Sequence, residues 1–304
     1  MTAAVVFAYH NVGARCLRVL LAHAVRVPLV VTHADDPRET HWFERVADVA
    51  HDYGIETIAP EDANRPEVVR RVESLRPDFL FSFYYRRMLG PALLAVPPRG
   101  ALNMHGSLLP SYRGRAPVNW AILRGETRTG ASLHYMTAQP DAGDIVAQQE
   151  VPILPDDTAK EVFDKVTFAA ELALDAVLPA LLAGTARRTH NDVAKGSYFG
   201  GRKPEDGRID WNRPAREIHN LVRAVAPPYP GAFTTISGAP ARVLSTRVLE
   251  EAPGAQQPRL DWQGAELIAR CGGSGILAIR ALEVDGSPVD RASFVQRYGA
   301  VVDL

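Results

Sequence analysis

The chain has 304 residues, enough for one large domain or two unequal ones. Apolar content of 46%, charged content of 23% and a formal net charge of −1 describe an ordinary globular protein, with no Lys/Arg block to advertise nucleic acid as a partner. Two widely separated cysteines, no signal-peptide pattern and no run of about 18 uninterrupted apolar residues argue against a disulfide framework and membrane insertion, and for a cytoplasmic protein.

The elements follow in order. Ala3 to Ala8 is a continuous apolar run, the pattern of a buried parallel strand. Gly13 to His23 reads as a helix with Leu17, Leu20 and Leu21 on one face, and Pro28 to Thr32 as a second strand. Between them, Tyr9-His-Asn-Val-Gly13 is not G-x-G-x-x-G, so the βαβ opening does not argue for NAD. Helix Trp42–Tyr53, strand Glu56–Ala59, helix Pro66–Leu75 and strand Phe79–Phe83 continue the alternation. A strand into Asn103, a helix from Pro117 to Arg124, and strands Ser132–Met136 and Ile145–Gln149 come next.

Thr158-Ala-Lys-Glu161 is a capping box that opens a long helix to about Leu182, where Gly184 stops it. This alternation predicts an α/β domain over residues 1–190, built on a parallel or mostly parallel sheet. The polar, glycine-rich stretch 191–208 reads as a linker. Residues 209–304 carry one helix, about Pro214 to Val225, and short strand-like runs at 232–236, 241–248, 266–270 and 275–282, the pattern of a small β-barrel.

Chemistry concentrates in Ala101-Leu-Asn-Met-His-Gly-Ser-Leu-Leu-Pro-Ser-Tyr-Arg-Gly-Arg-Ala-Pro117. Side chains alternate along a strand, so Asn103 and His105 point to the same side at its carboxyl end, where open α/β sheets build ligand sites. An amide can hold a developing oxyanion and an imidazole can move protons near neutral pH. Downstream, Gln139-Pro-Asp-Ala-Gly-Asp144 offers two carboxylates that could orient or charge the imidazole, and spacing alone does not distinguish Asp141 from Asp144. His33, His41 and His51 lack metal-ligand spacing and a Cys cluster, so no metal site is expected. His10, at the end of the first strand, and Tyr229, in Pro228-Tyr-Pro-Gly231, are weaker candidates for contact with a substrate.

The stretch from Asn103 to Pro117 resembles the signature of the formyltetrahydrofolate-dependent formyltransferases, a family that includes methionyl-tRNA and sugar-nucleotide N-formyltransferases. The resemblance implies a Rossmann-like catalytic domain followed by an OB-like domain. It also implies 10-formyltetrahydrofolate as co-substrate, with Asn103 stabilising the oxyanion, His105 as general acid/base and Asp141, the Asp two before Gly, raising the imidazole's pKa. Folate contacts implied the same way are Arg87, Met88, Leu89, Arg115 and the loop Thr137, Ala138, Gln139, Pro140 and Asp141. Packing is the bland alternative for Met88 and Leu89, and a solvated charge for Arg115.

Three readings of the acceptor follow. Val5-Val-Phe-Ala-Tyr-His10, Phe81-Ser-Phe-Tyr-Tyr-Arg86, Gly114-Arg-Ala-Pro-Val-Asn-Trp120 and Leu221-Val-Arg-Ala-Val-Ala226 are similar to the formyltransferases acting on UDP-4-amino-4-deoxy-L-arabinose, in the lipid A modification tied to polymyxin resistance. In that group a second, decarboxylase domain is frequent, so a separate decarboxylase polypeptide in the pathway is an expectation. Methionyl-tRNA, or the acceptor of another sugar-nucleotide N-formyltransferase, is the alternative, and the short, acidic segment His33-Ala-Asp-Asp-Pro-Arg-Glu-Thr40 counts against a polyanion there. A binding module without catalysis, or a formyl-folate hydrolase, is the reading from another class.

Overall fold

The computed structural model describes residues 1–36, 41–250 and 257–304. Residues 37–40, the end of the acidic segment just quoted, lie outside the described residues. The chain gathers into two compact units. Met1–Pro117, Arg128–Val151 and Phe163–Gly200 form the first, and Val118–Thr127, Pro152–Val162 and Gly201–Leu304 the second.

In chain order the first elements are β1 (Ala3–Ala8), α1 (His10–Ala22), β2 (Arg26–Val31), α2 (Val46–Asp52), β3 (Glu56–Ile58), α3 (Pro66–Ser74), β4 (Phe79–Phe83), α4 (Pro91–Leu94) and β5 (Ala101–His105). Then come β6 (Arg113–Gly114), α5 (Pro117–Leu123), β7 (Arg128–Tyr135), β8 (Ile145–Pro152), α6 (Ala159–Ala183) and β9 (Tyr198–Phe199). The principal sheet runs in the order β3-β2-β1-β4-β5-β7-β8. Pairings from β3 through β5 are parallel, and β5 with β7 is antiparallel, so the sheet is mostly parallel as expected.

Every residue of β1 and of β4 is buried, which is why β1 reads as an unbroken apolar run and β4 as one interrupted only by Ser82. On β4, Phe79, Phe81 and Phe83 share one face, with successive ring centroids 5.6 and 5.5 Å apart. Each such burial contributes about 1.5–3 kcal/mol. Helix α2 begins at Val46 rather than at Trp42, because Trp42 and Phe43 pack their rings around His10 instead of entering the helix.

The capping box of α6 forms as read: Thr158 N–H donates to Glu161 Oε2 at 2.8 Å and Glu161 N–H returns to Thr158 Oγ1 at 3.3 Å. Gly184 follows the helix at φ +75°. By length and composition α6 could cross a membrane. Its residues Val166, Ala170, Leu174, Leu178 and Leu181 are nevertheless buried in the fold, the mark of a core helix.

The stretch 191–208 is more than a tether. Its residues 191–200 belong to the first unit, where Asn191 is buried and β9 pairs in parallel with β6.

The second unit contains α7 (Ala215–Ala224), β10 (Ala232–Ile236), β11 (Ala239–Glu250), β12 (Arg259–Gln263), β13 (Glu266–Arg270), β14 (Ile276–Val284), β15 (Ser287–Pro288), α8 (Arg291–Tyr298) and β16 (Val301–Asp303). Its sheet follows the order β10-β11-β14-β13-β12-β16, antiparallel throughout, with register shifts between β11 and β14 that bend it. The barrel expected from the short strands is thus a curled half-barrel. Ile218 and Val222 of α7 fill its core with Val243, Leu277 and Phe294.

Candidate active site

Strand β5 delivers Asn103 and His105 to the same side, as the alternation requires. The antiparallel ladder with β7 then places His134 opposite Asn103 and Ser132 opposite His105. The loop between β7 and β8 brings Asp141 to the same spot. Asp141 Oδ1 lies 3.6 Å from His105 Nδ1, 3.4 Å from His134 Nε2 and 3.5 Å from Asn103 Nδ2. Its other oxygen accepts the Gly114 N–H at 2.9 Å.

These groups are almost entirely withdrawn from solvent, with side-chain exposures of 7% for His105, 2% for His134 and 13% for Asp141. Burial on its own pushes the Asp141 carboxyl up. Against it, His105, His134 and the Gly114 N–H together hold the carboxyl well below the usual carboxylate range. Asp141 is therefore an ionised carboxylate facing two imidazoles.

The backbone around Asp141 is built for the purpose. Asp141 itself is left-handed at φ +48°. Asn191 holds the loop from beneath, its Nδ2 donating to the carbonyls of Asp141 at 3.0 Å and Gly143 at 3.2 Å. A side chain at Gly143 would place its Cβ 2.0 Å from the Tyr135 carbonyl oxygen, so only glycine allows this approach. On the opposite wall, Gly114 at φ +97° lies so close to Phe199 that a Cβ would come within 2.2 Å of its carbonyl oxygen.

Backbone carbonyls also hold one nitrogen of each imidazole. His105 Nε2 lies 2.8 Å from the Tyr112 carbonyl, which only accepts, so Nε2 carries a proton and Nδ1 turns to Asp141. His134 Nδ1 lies 2.8 Å from the Tyr135 carbonyl and is likewise protonated. Its Nε2 lies between Asn103 Nδ2 at 3.1 Å and Asp141 Oδ1 at 3.4 Å. A donor amide, a histidine beside a carboxylate, and a second histidine in contact with both amide and carboxylate thus converge. Such a group can stabilise an oxyanion and shuttle a proton.

The structure brings together Asn103, His105 and Asp141. His134 escaped the sequence reading, although its spacing from Ser132 on a strand repeats that of Asn103 and His105. Asp144 instead closes the loop, its carbonyl accepting the Tyr135 N–H at 2.9 Å. Arg87 and Met88 are exposed, and the Met88 carbonyl accepts from Asn64 Nδ2 at 3.0 Å. Leu89 is buried in the core of the first unit. Arg115, Thr137, Ala138 and Gln139 are exposed and Pro140 is half-buried. His10 is buried at φ +67° and stacked on Phe43 at 4.0 Å. Tyr229 lies in the second unit and packs half-buried against its core.

The chain belongs to the formyl transferase family: residues 10–178 match the formyl transferase model and residues 202–299 match the formyl transferase C-terminal domain. Among solved structures it is similar to an N-formyltransferase from Helicobacter canadensis, in complex with folinic acid and dTDP-3-aminofucose. That match has TM-score 0.72 and 19% identity, covering 92% of this chain and 99% of that one. It is also similar to WlaRD, a sugar 3N-formyl transferase determined in the presence of dTDP and 5-N-formyl-THF, with TM-score 0.72 and 17% identity over 94% and 99% of the two chains. A sugar N-formyltransferase from Shewanella sp FDAARGOS_354 matches with TM-score 0.64 and 19% identity, over 82% and 99%. At these identities the likeness is one of fold.

Proposed function

We propose that this enzyme transfers the formyl group of 10-formyltetrahydrofolate to the amine of a nucleotide-linked 4-amino sugar, and that the acceptor is UDP-4-amino-4-deoxy-L-arabinose. The observation that carries the reaction is the convergence of Asn103, His105 and ionised Asp141 at the carboxyl end of β5. The amine attacks the formyl carbon, forming a C–N bond and a tetrahedral oxyanion that the Asn103 amide receives. His105 Nδ1 takes the amine proton, and the resulting imidazolium is stabilised by Asp141. Collapse breaks the bond from the formyl carbon to N10 of the folate, and His105 returns the proton to that nitrogen. Folate is held by Arg87, Met88, Leu89, Arg115 and the 137–141 loop, and His10 and Tyr229 are the weaker candidates for the sugar nucleotide. The reaction is cytoplasmic, serves lipid A modification and polymyxin resistance, and stands in a pathway with a separate decarboxylase polypeptide.

A dTDP-linked amino sugar is the second reading, favoured by the dTDP-3-aminofucose in the Helicobacter canadensis complex and by the dTDP present with WlaRD. The deciding experiment follows tetrahydrofolate release with the UDP sugar, a dTDP-4-amino sugar, methionyl-tRNA and no acceptor in parallel. Release with the UDP sugar alone is expected. Preference for the dTDP sugar or for the tRNA refutes the acceptor, and equal release without any acceptor makes the protein a hydrolase.

A further inference from the structure

Strand β6 touches the candidate site on both sides of one residue. The Tyr112 carbonyl receives His105 and the Gly114 N–H binds Asp141. Between them stands Arg113, which is 9% exposed. Among the described residues its guanidinium meets no carboxylate, its Nε has no acceptor, and its one side-chain neighbour of note is the Tyr198 ring, 5.9 Å to the centroid. A guanidinium whose buried Nε lacks an acceptor and which has no counter-charge is costly, and proteins retain one where something supplies the missing anion.

Tyr198 adds an independent observation. It is the ladder partner of Arg113 in the β6–β9 pair, and the residue is 56% exposed. The platform is fixed from below, where Tyr112 and Phe199 stack at 5.3 Å and 12°. A guanidinium with open donors beside an exposed, rigid aromatic ring is the chemistry that takes a phosphate and a base or sugar face together.

We propose that Arg113 binds a phosphate of the nucleotide-linked acceptor, with the Tyr198 ring as its stacking surface; this rests on the acceptor class proposed above. A folate carboxylate is the other oxyanion in the reaction. It sits on a flexible glutamate tail, which suits the exposed cations Arg87 and Arg115 better than a buried guanidinium. The phosphate would be anchored one residue from the backbone groups that hold His105 and Asp141, which registers the acceptor against them.

The test is calorimetric titration of UDP, dTDP and folinic acid into the wild-type protein, Arg113→Gln and Tyr198→Ala, together with the melting temperature of each. Arg113→Gln should weaken the preferred nucleoside diphosphate roughly 10- to 100-fold, the scale of a lost charge-assisted hydrogen bond, and leave folinic acid unchanged. Since no protein partner is orphaned, its melting temperature should hold or rise. Tyr198→Ala should weaken the same nucleotide and spare folinic acid. Unchanged nucleotide affinity in Arg113→Gln, loss of folinic acid instead, or a large drop in melting temperature would each overturn the assignment. A wild-type protein that binds neither nucleotide overturns the acceptor class itself, and so fails at a different step.

Discussion

Replacing Asp141 with asparagine keeps the shape of the side chain and removes its charge. The amide oxygen can still accept the Gly114 N–H, now made at 2.9 Å, so the loop should keep its place. What disappears is the attraction between a carboxylate and a His105 imidazolium 3.6 Å away. At an effective dielectric of about 20, Coulomb's law gives about 4–5 kcal/mol at that separation. Part of this is recovered by the dipole of the amide, so turnover should fall by roughly 10²–10⁴-fold. Single-turnover formyl transfer at saturating folate and acceptor reads the chemical step, and titration of folinic acid reads binding, which should stay close to wild type. Turnover within about threefold of wild type would show that His105 does its work without the carboxylate, and the mechanism would be wrong.

His105→Ala should likewise retain folinic acid binding while losing about 10²–10⁴-fold in turnover, and near-normal turnover would remove it as the acid/base. His134→Leu takes away the ring nitrogen that contacts both the Asn103 amide and the Asp141 carboxylate. A fall in kcat of about tenfold or more, with little change in the KM for folate, is expected, and partial recovery in His134→Gln would separate orientation from bulk packing. The depressed pKa of Asp141 also has a stability signature. Its contribution is complete above the unfolded carboxyl's value of about 3.9 and is lost as the pH falls through the folded one. The melting-temperature gap between wild type and Asp141→Asn should therefore hold from pH 7 to about 4 and narrow only as the pH falls below the unfolded carboxyl's value; a gap that stays constant below it would mean that the carboxylate is not stabilised by its surroundings.

Much of the first unit could be read directly because local pattern and burial agree. Phe79–Phe83 carries a single polar residue, Ser82, and is buried on both faces, so its limits were legible to the residue. Asn103 and His105 were legible as a pair because strand periodicity alone puts them on one side. His134 was not, since its partnership with Asn103 depends on the register between β5 and β7, which no local feature announces. In the second unit β12 was missed because Arg259-Leu-Asp-Trp-Gln263 carries charges into its interior: Asp261 is buried and paired with Arg270 at 3.1 Å. Helix α8 was missed too, although Asp290 caps it through the Ser293 N–H at 2.8 Å. A capping Asp with few apolar residues after it looks like a turn.

The anchoring of the Asp141 loop by Asn191 has a consequence for the order in which the enzyme becomes competent during synthesis. Asn103, His105 and Asp141 all emerge early, and the sheet that carries them can form behind them. The carbonyls of Asp141 and Gly143 acquire their shared donor only when residue 191 has followed, and β6 acquires its partner only at Tyr198–Phe199. A nascent chain stalled after residue 190 would hold all three reactive side chains without the brace that fixes their loop. A graft that exchanges C-terminal units between relatives has the same requirement: the junction belongs after Gly200, so that the brace travels with the loop it supports.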